Sequence, residues 1–92
     1  MHLKITGYNN FYEIEGVLSK ESVGEFYSEF RNIFEKVNKL TINIQGLEDI
    51  DREGVKALAK LHNESISRNK RLSIIGLGQK EVYEHFSSTD AA

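Results

Sequence analysis

The chain has 92 residues, 39% apolar and 28% charged, enough for one hydrophobic core and too few for two. The absence of cysteine excludes a disulfide framework, a thiolate zinc site and a cysteine nucleophile. Its 12 basic and 14 acidic residues leave a net charge of -2, which gives no general attraction to nucleic acid or an anionic membrane.

Leu3 and Ile5 alternate with His2, Lys4 and Thr6, the pattern of a half-buried strand. Gly7-Tyr8-Asn9-Asn10 supplies turn chemistry, since Gly and Asn tolerate left-handed backbone angles. A second strand follows, with Tyr12, Ile14, Gly16 and Leu18 on one face and Phe11, Glu13, Glu15 and Val17 on the other. So short a turn predicts an antiparallel hairpin. From Ser22 the period lengthens. Val23, Phe26, Tyr27, Phe30, Ile33, Phe34 and Val37 form the apolar stripe of one helix, with Ser22 and Glu25 at capping-box spacing and Ser19 an alternative cap.

Alternation returns at Leu40, Ile42 and Ile44, which predicts a third strand, and Gly46 to Asp51 reads as a loop. A second helical stripe runs through Val55, Leu58, Ala59, Leu61, His62 and Ile66, with Ser65 and Ser67 on the solvent side or at its end. Leu72 and Ile74 open a fourth strand, Gly76-Leu77-Gly78 turns the chain, and Val82, Tyr83 and Phe86 suggest a short last helix.

Strand–helix–strand units require parallel pairing through right-handed crossovers, and strands in chain order place both crossover helices on the same face. The polar face of each of the first three strands agrees with a sheet covered on one side only. The expected fold is an α/β two-layer sandwich. Its four-stranded mixed sheet has an N-terminal antiparallel hairpin, then parallel strands, with helices on one face. One domain over residues 1–86 and a polar tail over 87–92 account for the chain. Apolar runs of this length do not span a bilayer, and residues 1–20 lack the pattern of a signal peptide, so a cytoplasmic protein is expected.

Asp51-Arg52-Glu53-Gly54, after the strand Ile42-Asn43-Ile44 and before an amphipathic helix, resembles the signature of the STAS domain. That is the sulfate-transporter and anti-sigma-factor-antagonist family, whose pattern there is Asp-Ser-x-Gly. Gly16-Val17-Leu18 is similar to the end of the family's second strand, and Arg71 to Gly76 to the strand after the helix. The resemblance covers roughly residues 2–86. It implies a regulatory module, not an enzyme and with no cofactor, that binds an anti-sigma factor of histidine-kinase-type fold. The implied contact surface is Leu47, Glu48, Asp49, Ile50, Asp51, Arg52, Glu53, Gly54, Val55 and Lys56. A STAS subunit docked on an ABC transporter ATPase is a second branch. A small-ligand or nucleotide-binding domain using the helix start after Asp51 is a reading from another class. Oligomeric state is left open.

The family's phosphoacceptor serine corresponds to Arg52 here. A helix N-terminus favours negative charge, so Asp51 suits the cap and Glu53 the first turn, whereas Arg52 has the opposite sign. Arginine accepts no phosphoryl group in serine-kinase chemistry and cannot mimic the charge of phosphoserine. Constitutive binding, or a different surface in which Arg52 meets an acidic partner, would both follow.

Other features have plainer accounts. Gly76-Leu77-Gly78 lacks the rest of a P-loop and reads as a turn. Glu48, Asp49, Asp51 and Glu53 lack EF-hand spacing, and His2, His62 and His85 lack metal-ligand spacing. His62 reads as a packing residue. Lys36, Lys39, Lys60, Arg68, Lys70 and Arg71 gather near helix C-termini, where cations suit the dipole, so no nucleic-acid patch need be invoked. Tyr27 and Phe34 are expected to pack in the core.

Overall fold

A computed structural model describes residues 2–76. In chain order these form β1 (Leu3–Tyr8), β2 (Phe11–Leu18), α1 (Val23–Glu29), α2 (Ile33–Lys36), β3 (Lys39–Ile50), α3 (Arg52–Ser67) and β4 (Arg71–Ile75). The sheet order is β1-β2-β3-β4, with β1 antiparallel to β2 and the other pairs parallel. This is the mixed four-stranded sheet expected from the sequence. The last helix and the tail lie outside the described residues, as do Leu77 and Gly78 of the turn after β4.

The core follows from the alternation. Ile14 and Leu18 of β2 and Leu40, Ile42 and Ile44 of β3 are buried against Phe26, Phe30, Ile33, Phe34, Leu58 and Leu61. Glu13 and Glu15 of β2 point the other way and are exposed. Tyr12 and Phe30 meet edge to face with ring centroids 5.0 Å apart, and Phe26 and Phe30 are tilted at 4.8 Å. Truncating a core leucine such as Leu58 removes about 2–5 kcal/mol, a large share of the stability of so small a domain.

Three turns use asparagine in the left-handed region. Asn9, Asn32 and Asn69 all have φ of 57°. Asn69 ends α3 in a Schellman motif: Lys70 N–H donates to Ser65 C=O at 2.7 Å and Asn69 N–H to Ile66 C=O at 3.1 Å. Asn32 breaks what the sequence presents as one helix over 22–37. α1 ends at Phe30, the chain reverses hand at Asn32, and α2 restarts at Ile33. The apolar spacing hides this break, because Phe26, Phe30, Ile33 and Phe34 are all buried on either side of it. Phe34 packs in the core as expected, whereas Tyr27 is 40% exposed.

The capping box does not form. Ser22 occupies the N-cap of α1 without a side-chain cap bond. Its hydroxyl donates to Val17 C=O at 2.8 Å and accepts from Ser19 N–H at 3.0 Å. In α3 the stripe turns slightly from the expected one. Ile66 is 61% exposed, and Ser65 is buried with its hydroxyl donating to His62 C=O at 2.6 Å.

The largest departure concerns β3, which is 12 residues long and continues through Gly46 to Ile50 where the sequence predicts a loop. The register explains it. Glu13 pairs with Asn43 but Glu15 with Gly46, and Gly16 with Leu47 but Val17 with Asp49. β3 thus carries an extra residue at each of two irregularities, and alternation fails there although pairing does not.

Candidate functional site

β2 and β3 are parallel neighbours, so both leave the sheet at the same edge, β2 into the turn 19–22 and β3 into α3. Asp51 ties the two exits together. One carboxylate oxygen accepts from Gly54 N–H at 2.9 Å, the other from Lys20 N–H at 2.9 Å. Asp51 N–H itself donates to Leu18 C=O at 3.2 Å. The backbone N–H of Lys20, followed by that of Gly54, holds the Asp51 carboxyl below the usual carboxylate range, because both bonds favour the ionised form.

Gly54 is dictated by the same junction. A Cβ there would run into the Leu18 carbonyl oxygen and fall 2.7 Å from Ile50 Cγ1, so α3 approaches β2 and β3 too closely for a side chain. The acidic–glycine pair that opens the helix therefore has a packing reason for its glycine. Asp51 is both the helix cap and the latch between two turns.

Within the expected contact surface, Leu47 is 2% and Val55 6% exposed, and Gly54 is also buried. The side chains of Leu47 and Val55 belong to the interior and cannot line a contact surface. Glu48, Asp49, Asp51, Arg52 and Lys56 are exposed, with Ile50 and Glu53 half-buried. Arg52 is the first residue of α3 and has no ion-pair partner among the described residues. Lys56 lies 3.6 Å from Glu53 one turn earlier. The exposed rim presents four carboxylates and two cations, with Arg52 at the mouth of the helix.

The sequence offers Ser19 and Ser22 only as helix caps, yet the turn Ser19-Lys20-Glu21-Ser22 abuts the start of α3. The signal that finds it is topological: turns that follow parallel strands converge at the strands' carboxyl edge. Among the described residues no three His, Asp or Glu side chains come together as a metal site. His62 is half-buried on α3. Arg68 lies 3.6 Å from Glu64 and 3.9 Å from Glu35, and Lys70 Nζ donates to Asn38 at 2.6 Å, so these two cations serve helix ends and crossings.

The sequence matches the STAS domain family over residues 2–92. Among curated proteins none matches it. The fold is similar to that of the anti-sigma factor antagonist SpoIIAA in its unphosphorylated form, with a TM-score of 0.68 and 16% identity over 87% of this chain and 77% of that one. It is equally similar to the Bacillus cell fate determinant SpoIIAA in the phosphorylated form, with a TM-score of 0.68 and 18% identity over 98% and 86%. An uncharacterised DUF3478 protein of SpoIIAA-like fold from Shewanella loihica PV-4 aligns with a TM-score of 0.57 and 16% identity over 99% and 78%. At these identities the likeness is one of fold.

Proposed function

The chain belongs to the STAS domain family, and on that premise we propose that it is a non-enzymatic regulatory domain acting like an anti-sigma-factor antagonist. Its partner is a kinase-type anti-sigma factor in the cytoplasm, contacted through the exposed rim Glu48, Asp49, Asp51, Arg52, Glu53 and Lys56. The observation that carries this reading is Arg52, an exposed cation without a described partner at the start of α3, on a turn fixed by the Asp51 latch. No described helix is long and apolar enough to cross a membrane.

No serine, threonine or tyrosine occurs between Gly46 and Leu61. Binding at this turn is therefore constitutive with respect to phosphorylation, and Arg52 supplies a positive charge where the family pattern has a hydroxyl. Co-purification of the tagged protein from its native cytosol tests the partner. A kinase-type anti-sigma factor is expected; an ABC ATPase would move the chain to the transporter-associated branch. Stabilisation by nucleotide in a thermal-shift assay, with no protein captured, would sink both readings. The captured kinase then tests the switch: R52S should take up phosphate at residue 52, and the native chain none in this turn. Stoichiometric phosphate elsewhere on the native chain, at Ser19 of the abutting turn for instance, would overturn the constitutive reading.

A further inference from the structure

A second surface lies along the β1 edge of the sheet. β1 is an edge strand, and Val17 N–H donates to His2 C=O at 3.0 Å, which makes Leu3 and Gly16 a non-hydrogen-bonded pair. Alternate residues Leu3, Ile5 and Gly7 therefore turn their own N–H and C=O groups away from β2, toward an edge that no other described strand covers. Beside that edge runs a groove of about 760 Å³ between β1 and α1, floored by Leu3 and Ile5 and walled by Glu21, Gly24, Glu25, Ser28 and Glu29.

Two features of the wall stand out. Glu25 and Glu29 are exposed like charges one helical turn apart, with no described ion-pair partner, so they repel each other along the helix. Gly24 lies in the first turn of α1, where alanine is the better helix former, and a Cβ there would meet nothing within 4 Å. The space it leaves is groove.

We propose that this groove and the β1 edge form a docking site for an extended basic segment of another protein, which adds to the sheet as a fifth strand. The unpaired backbone groups of Leu3, Ile5 and Gly7 supply the ladder, and Glu25 and Glu29 read its lysines or arginines. The spacings are commensurate: four residues of helix advance about 6 Å and two residues of strand about 6.6 Å. A second copy of this chain is the wrong occupant, because β1 pairing with its symmetry mate brings two acidic walls together. This surface is separate from the Arg52 rim, and its test does not depend on the partner proposed there.

The probe is a capped octapeptide alternating lysine with threonine, titrated into the full chain and followed by amide NMR. The expected result is saturable binding that shifts the amides of Leu3, Ile5 and Gly7. Binding should weaken about fivefold in E25Q/E29Q, which loses two exposed charge pairs. N-methylation of the peptide amides that face β1 should abolish it. G24A should raise the melting temperature while lowering affinity, a combination that simple damage to α1 does not produce. Absence of saturable binding overturns the proposal. So does equal affinity for the N-methylated peptide, or a dimer in sedimentation that is lost on substituting Ile5.

Discussion

At the scale of single residues, Asp51 joins two separate parts of the chain. It caps α3, holds the turn after β2 and stays ionised through its bonds to Lys20 and Gly54 N–H. D51A should lose about 1–2 kcal/mol in a urea titration at neutral pH. Because the folded-state pKa lies below the unfolded one, folding favours the ionised form. The contribution is complete above the unfolded pKa and fades as pH falls through the folded value. The gap in unfolding midpoint between native chain and D51A should therefore be constant near neutrality and narrow as the pH falls below the ordinary carboxylate range. A gap independent of pH would mean that the two bonds do not distinguish carboxylate from acid. The role of Asp51 as a cap was legible in the sequence. Its hold on Lys20 was not, because residues 31 positions apart meet only once β2 and β3 are known to be parallel neighbours.

At the scale of elements, both misread segments share a cause. Hydrophobic spacing reports which side chains face the core and is silent about the backbone between them. Phe26, Phe30, Ile33 and Phe34 keep helical spacing across a break that only Asn32 marks, and Asn is common enough in helices to be overlooked. Leu47 reads as a loop residue because it breaks the alternation of Leu40, Ile42 and Ile44, although it is as deeply buried as they are. Where backbone and spacing agree, as in β2 and most of α3, the sequence reading stands, whereas β1 runs on through Gly7 and Tyr8, which the sequence assigns to the turn. The left-handed conformation at Asn32 makes a prediction: N32A should lose about 1–2 kcal/mol while N32G is close to neutral, judged by their urea midpoints. Equal losses would show that the Asn side chain, not its backbone angle, holds the bend. L47A should lose about 2–5 kcal/mol, as a core residue does, whereas a leucine in a surface loop would lose little. Its thermal unfolding curve separates the two.

At the scale of the whole molecule, the sheet has a protected centre and two edges. β2 and β3 carry the longest pairing and most of the buried strand residues, with β1 and β4 outside them. Native-state hydrogen exchange should find the slowest amides in β2 and β3, approaching global unfolding, and rapid exchange at the outward amides of Ile5 and Gly7. Slow exchange at those two in the isolated chain would mean that the β1 edge is already paired. The two extra residues of β3 also set a rule of parity for this chain. One extra residue turns every later side chain over to the opposite face of the sheet; the second turns them back. Ile50 is half-buried, and Asp51 leaves in position for the latch, because the count is even. Shortening the 44–50 stretch by one residue would invert the exit of β3 and carry Asp51 away from Lys20, whereas removing both extra residues together would leave the exit upright. Changes of length beside this surface are thus tolerated in twos.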